Sequence, residues 1–190
     1  VKYNTNRFRS SLEAWGKDLR FWMRFPTRQG EMVTVKTAVS AVSSDGAKLN
    51  MQELEGKTFA SLKAEGEKLW EGQLSKFKIE ATPEQRETFY TSVYHAFLHP
   101  FIFQDADGKF RELDKNIGQA EGFTNYTVFS LWDTYRALHP LFNLVQREIN
   151  VDIVNSMLAH YDKSVEHMLP VWSFYGNETW CMIGYHAVSV

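Results

Sequence analysis

The fold class that the sequence predicts is α+β in two parts, strands first and helices after, and three observations point to it. Charge divides along the chain: residues 1–57 carry 10 Lys and Arg against 6 Asp and Glu, while residues 58–190 carry 11 against 17. The aromatics divide at nearly the same place, with none of the 28 Phe, Trp and Tyr between Phe25 and Phe59. The hydrophobic period changes there too, from two to between three and four. A chain that changes character this sharply crosses a domain boundary, which these patterns place near residues 44–57.

Composition narrows the function classes. The 190 residues are 44% hydrophobic and 23% charged, a globular balance rather than a disordered one. A net charge of −2 offers no basic field for nucleic acid. No apolar run approaches the roughly 18 residues of a membrane span. One cysteine, Cys181, excludes an internal disulfide framework and a four-cysteine zinc site. The chain starts at Val1 without an initiator methionine or signal-peptide pattern and stops in the apolar run to Val190, so it reads as a segment of something longer.

Residues 20–42 predict a β-hairpin. Phe21, Met23 and Phe25 alternate with Arg20, Trp22 and Arg24, Pro26 to Gly30 make the turn, and Val33, Val35, Val39 and Ala41 alternate on the return. Ser43-Ser44-Asp45-Gly46 opens a polar connector. Phe59, Leu62, Leu69, Trp70, Leu74 and Phe77 then follow helical spacing behind Thr58 as N-cap. Thr82-Pro83-Glu84-Gln85 is a capping box with Pro at N1, and it starts a helix whose inner face is Phe89, Tyr90, Val93, Tyr94 and Phe97. Pro100 ends that helix. Phe101 to Arg111 predicts a short hairpin turning at Asp105-Ala106-Asp107-Gly108. Helices are expected from Thr124 through Trp132 to about Leu138, and from Asn150 to about Tyr161. Residues 168–179 read as an extended aromatic loop closed by Gly176-Asn177. Successive helices joined by loops rich in acids and aromatics suggest an α-toroid or solenoid.

Four groups of residues are candidates for chemistry. His95 and His99 have the i, i+4 spacing of two metal ligands, but a metalloprotease helix needs Glu where Ala96 stands, so a packed or capping pair is the better reading. Asp105 to Gly108 begins like a calcium loop, yet Phe110 and Asn116 occupy its sixth and twelfth positions, so a tight turn explains it better. Asp133 and Arg136, three residues apart on a helix, share a face that neighbours Trp132 and Phe129, which places the carboxylate mid-helix and shielded from bulk water. The pair reads either as a structural ion pair or as a polyol pocket, where charged groups bind hydroxyls and the indole stacks on a sugar. The segment from Trp172 to His186 frames Glu178 and His186 with Trp172, Tyr175 and Trp180, again suited to carbohydrate. Cys181, between Trp180 and Met182, is expected to be a buried thiol rather than a nucleophile.

At Phe89-Tyr90-Thr91-Ser92-Val93-Tyr94-His95-Ala96-Phe97, Asp107-Gly108-Lys109-Phe110, Tyr126 through Trp132-Asp133-Thr134-Tyr135-Arg136, and Gly176-Asn177-Glu178-Thr179 through Tyr185-His186, the sequence resembles glycoside hydrolase family 92. That family comprises calcium-dependent exo-acting α-mannosidases, mostly α-1,2. The resemblance runs in order from about Phe21 to Val190. It implies an α+β two-domain segment: residues 1–44 as the terminal strands of an N-terminal β-sandwich, 45–80 as connector and linker helix, and 81–190 as the first part of an (α/α)6 toroid. It implies an inverting hydrolase in the full-length protein, with the catalytic acid and base and most calcium ligands beyond Val190, so that no metal ligand is nominated in this segment. Asp133 is the first choice for binding the terminal mannose, with Trp132 and Arg136 shaping the site and Glu178, Thr179 and His186 as further substrate-binding candidates. Mannose-containing glycans are the implied partners, and a periplasmic or secreted location follows from the same resemblance. A non-catalytic carbohydrate-binding or surface scaffold of the same architecture is the alternative, and a toroidal glycosidase for another sugar a third possibility.

Overall fold

The computed structural model describes residues 17, 18, 20, 22 and 24–190. Contacts divide the chain into two units, Val1–Val35 and Lys36–Val190. Phe21 and Met23, two inward positions of the expected hairpin, lie outside the described residues.

In the first unit the expected turn is present: Glu31 donates its backbone N–H to the Arg28 carbonyl at 3.1 Å, and Gly30 has φ +84°. The return strand is not. Residues 24–42 contain no strand, and Val33, Val35 and Val39 are exposed. Period-two alternation decides which side chains share a face, but a strand forms only when another strand takes up its backbone groups. Among the described residues, none pairs with this segment.

The second unit opens with a helix where the sequence suggested a connector. Helix α1 (Ser44–Met51) is capped by Ser43, whose hydroxyl accepts the Gly46 N–H at 3.0 Å, and Asp45 pairs with Lys48 one turn on at 2.8 Å. A 3-10 turn, Gln52–Leu54, follows. With only Leu49 and Met51 apolar beyond its alanine and glycine, α1 carries too little hydrophobic periodicity to announce itself. Asn50 nonetheless anchors it, donating to the buried Asp105 carboxylate at 2.8 Å and accepting the Ala106 N–H at 2.7 Å. Ser40 donates to the other Asp105 oxygen at 2.6 Å.

Helix α2 (Phe59–Leu74) and helix α3 (Pro83–Ala96) start at Thr58 and Thr82, and both have full capping boxes, closed by Ser61 and Gln85. Helix α2 ends one turn before the expected Phe77. Phe77 instead packs edge-on against Phe89, 5.8 Å between centroids, and accepts the Tyr90 hydroxyl on its carbonyl at 2.9 Å. Of the expected inner face of α3 only Val93 is fully buried. Phe89, Tyr90 and Phe97 are half-buried, and Tyr94 is exposed although it packs 4.5 Å from Trp70 of α2.

The expected 101–111 hairpin is corrected by the pairing. The Asp105–Gly108 turn exists, with Gly108 N–H on the Asp105 carbonyl at 2.8 Å and φ +81° at Gly108. Its flanks pair elsewhere: β1 (Phe101–Ile102) runs antiparallel to β4 (Tyr126–Thr127), and β2 (Lys109–Arg111) to β3 (Ile117–Gln119). The single helix expected over 124–138 is also replaced. Strand β4 is followed by Val128 at φ +68°, a four-residue helix α4 (Leu131–Thr134), and a separate helix α5 (Leu138–Val145). Helix α6 (Arg147–Lys163) begins before Asn150, which is no cap but a buried side chain bonded to His139 and Asn143. The core is Phe129, Leu131, Phe142, Ile153, Met157 and Ala187, so α5, α6, the segment after β4 and the final turn His186–Ser189 meet there.

The loop after α6 is organised by one carboxylate. Glu178 accepts backbone N–H groups from Val171 at 3.0 Å, Trp172 at 2.9 Å and Trp180 at 3.0 Å, and it lies 3.4 Å from His160 Nε2. The loop folds back at Tyr175-Gly176, both at positive φ, with Ser173 bridged to Glu178. A Cβ on Gly176 would stand 2.9 Å from the Arg111 carbonyl oxygen, so neither conformation nor space admits another residue there.

Burial pushes the Glu178 carboxyl pKa up, but the bonds from His160 and from the Trp180, Trp172 and Val171 amides outweigh it and hold the pKa below the usual glutamate value. A depressed folded pKa contributes stability that is complete above the ordinary glutamate pKa and is lost as pH falls through the folded value. Thermal melts of the protein and Glu178→Gln should therefore differ near neutrality, by roughly 1–3 kcal/mol for poorly satisfied backbone donors. The two melting temperatures should converge as pH falls below the ordinary glutamate pKa. A gap that stays constant over that range would refute the ionised-anchor account.

Candidate functional site

Strand β4 leaves the sheet at Thr127, and the chain turns sharply through Val128 to reach Ser130, the residue that precedes α4. Positive φ at a β-branched residue is strained and persists only where surrounding contacts impose it. Here Phe129 N–H is held by the Ser173 carbonyl at 3.3 Å, and Thr127 Oγ1 accepts the Tyr175 N–H at 2.9 Å. The aromatic loop therefore grips the segment that carries Trp132, Asp133 and Arg136.

Asp133 occupies the first turn of α4, exposed, and not the shielded mid-helix position that the sequence suggested. Its environment is defined by Ser130. The Trp172 indole Nε1–H donates to Ser130 Oγ at 2.9 Å, and the Ser130 hydroxyl donates to Asp133 Oδ2 at 2.5 Å. Among the described residues, Oδ1 of Asp133 has no hydrogen-bond partner. The alternative of a structural Asp133–Arg136 ion pair is not what forms: the Arg136 guanidinium lies 5.3 Å over the Tyr135 ring instead. Trp132, the residue before Asp133, is 38% exposed.

The remaining candidates occupy two neighbourhoods. Glu178 is the buried loop anchor described above, and exposed Thr179 donates its hydroxyl to the Trp172 carbonyl at 2.7 Å. Both act on the backbone of Trp172, so they connect to Asp133 through the indole and Ser130. His186 packs its ring 4.5 Å from Tyr135, and its Nδ1 is buried without a hydrogen-bond partner. Cys181 is free and exposed, contrary to the expected buried thiol. Its neighbours Trp180 and Met182 both adopt positive φ, so this stretch does not follow regular alternation into the interior.

Beside Ser130 and Trp172 lies a cleft of about 340 Å³ lined also by His95, His99, Val128, Thr134 and His139. Its wall is mostly apolar, and Thr134 Oγ1 is buried without a hydrogen-bond partner. His95 and His99 are exposed and stand against aromatic rings, Tyr94 at 5.6 Å and Phe101 at 4.4 Å. Burial pushes the His139 pKa down, only partly offset by its bond to Asn150. Sequence reasoning missed Ser130, Thr134 and His139. Ser130 could have been found from its place immediately before Leu131-Trp132-Asp133, the N-cap pattern; His139, in an apolar Leu-His-Pro run, gave no such signal.

Among the described residues, no group of three or more His, Cys, Asp or Glu side chains could hold a metal ion. The described residues thus offer no cluster of carboxylates for calcium.

Comparison with known proteins places the chain in a family. Residues 46–190 match the family model of the glycosyl hydrolase family 92 catalytic domain. A family 92 α-mannosidase from Bacteroides thetaiotaomicron is 75% identical over 78% of this chain and 20% of its own, with a TM-score of 0.77. The same figures hold for its structure in complex with mannoimidazole. A family 92 inverting mannosidase from Bacteroides thetaiotaomicron is 28% identical over 78% of this chain and 20% of its own, with a TM-score of 0.70. The chain therefore spans about a fifth of the length of these solved relatives. No curated protein matches it. With a family model covering most of its length and a solved member this similar, the chain belongs to glycoside hydrolase family 92.

Proposed function

We propose that this protein hydrolyses terminal α-linked mannose, α-1,2 above all, from glycans, with inversion at the anomeric carbon, and that this chain supplies part of the sugar-binding wall. The carrying observation is the 75% identity to an α-mannosidase that has been solved with mannoimidazole bound. The geometry supports it: Asp133 keeps one carboxylate oxygen free, adjacent in sequence to an exposed indole. A sugar offers two donors on adjacent hydroxyls and an apolar face, which such a pair can meet.

In this reading Asp133 accepts hydroxyl hydrogen bonds from the terminal mannose, and Trp132 and Arg136 bound its position. Glu178 and Thr179 support the wall from behind, and His186 buttresses it through Tyr135. Inversion needs a general acid for the leaving oxygen and a base for water on the opposite face. Neither role is assigned to a residue of this chain. Residues 1–44, 45–80 and 81–190 correspond in the same reading to sandwich strands, linker and opening toroid, and the protein works in the periplasm or outside the cell. Among the described residues, no helix is long and apolar enough to cross a membrane.

Asp133→Asn in the full-length protein tests the binding role. Bonds to an ionised group contribute about 1.5–3 kcal/mol, so kcat/KM on an α-1,2-mannobiose should fall roughly 10- to 150-fold. Because Asp133 is exposed, the melting temperature should stay close to that of the parent. A large loss of melting temperature with near-normal kcat/KM would assign Asp133 to the scaffold.

Calcium enters as a proposal of the family reading, with ligands from residues other than those described. Exhaustive chelation of the full-length protein should abolish release of mannose, and added calcium should restore it. Full turnover after chelation would remove the metal from the proposal, and a panel of aryl glycosides without an α-mannoside response would remove the sugar.

A further inference from the structure

We propose that Ser130 is a positioning residue for sugar recognition, holding the Asp133 carboxylate in one rotamer through a relay that begins at the Trp172 indole. The inference rests on the reading of Asp133 as the sugar's acceptor and deepens it. The direction of the relay follows from what each group can do. An indole N–H only donates, so Ser130 Oγ accepts at that contact, and an ionised carboxylate only accepts, so the serine proton points to Asp133 Oδ2. Each group thus fixes the next, and among the described residues Oδ1 is left without a hydrogen-bond partner.

Two features show that Ser130 serves this relay in preference to a local one. Serine immediately before a helix ordinarily turns its hydroxyl onto a backbone N–H of the first turn. Ser130 makes no such cap: the Asp133 N–H goes to the Ser130 carbonyl at 3.0 Å, and the hydroxyl is left for the two side chains. The chain also reaches Ser130 through the strained Val128. The partner at the far end is equally constrained, because Glu178 holds the Trp172 backbone N–H at 2.9 Å and Thr179 holds its carbonyl at 2.7 Å. An exposed aspartate would otherwise sample several rotamers and lose that freedom on binding; holding it beforehand lowers the cost.

The test is a double-mutant cycle in the full-length protein, with an activated aryl α-mannoside as probe. Ser130→Ala should lower kcat/KM about tenfold, and Ser130→Thr, which keeps the hydroxyl, should recover most of it. In an Asp133→Ala background, Ser130→Ala should add less than about a twofold loss, because no carboxylate remains to be positioned. Trp172→Phe removes the first donor and should shift kcat/KM in the same direction as Ser130→Ala, again only when Asp133 is present. If Asp133→Ala costs activity but Ser130→Ala is silent, or multiplies the loss equally in both backgrounds, the positioning role is overturned while the sugar-binding reading stands. If Asp133→Ala leaves kcat/KM unchanged, the sugar-binding reading fails and this inference falls with it.

Discussion

The buried carboxylate of Glu178 is the constraint on which the site depends. An ionised side chain taken from water is costly unless donors replace its hydration, and here three backbone N–H groups and His160 do so. Those donors come from both limbs of one loop, Val171 and Trp172 before the turn and Trp180 after it, so satisfying the charge closes the loop. Closure fixes Trp172, Ser173 and Tyr175 against Thr127, Phe129 and Ser130. The position of the carboxylate on α4 is thus inherited from a carboxylate on another segment, with the Trp172 backbone and indole and the Ser130 hydroxyl as the link.

A second set of contacts holds the same segment from its other side. Ser156 of α6 accepts the Tyr126 N–H at 2.9 Å, while its own hydroxyl stays within reach of the Asp152 carbonyl at 2.7 Å. Phe129 and Leu131, flanking Ser130, enter the core with Phe142, Ile153 and Met157. The strain at Val128 is explained by this double grip. Residues on either side of it are committed, one to β4 and the loop, the other to the core, and the chain between has no extended or helical route that satisfies both.

The helix starts were legible because they depend on short-range chemistry: Thr58 and Thr82 each bond an N–H three residues on, which a sequence displays directly. Pairing was not legible in the same way. Phe101-Ile102 and Lys109–Arg111 flank a real turn, yet their partners are Tyr126-Thr127 and Ile117–Gln119, chosen by long-range closure that no local pattern encodes. The stretch from Thr124 to Leu138 has helical spacing, but tertiary contacts of Thr127 and Phe129 with the aromatic loop override it. Cys181 was misplaced for a related reason: apolar neighbours suggest burial only in a regular element, and Trp180 and Met182 stand at positive φ outside one.

The candidate carboxylate itself was identified from a premise that the structure replaces. From the sequence alone Asp133 reads as shielded, so that a hydrogen-bonding partner such as a sugar is needed to satisfy a buried charge. In the folded chain Asp133 is exposed, and water satisfies it at little cost to folding. What distinguishes it from an ordinary surface aspartate is restraint rather than burial, since one oxygen is committed to Ser130 and the other is free. Restraint changes the energetic logic of recognition. A buried unpaired charge would make the empty site unstable and the occupied one merely normal. A held, hydrated charge leaves the empty site stable and lets a ligand exchange water for a second donor without ordering the side chain first. The indole of Trp172, lodged against Ser130 rather than against the solvent, supplies that order from within the fold.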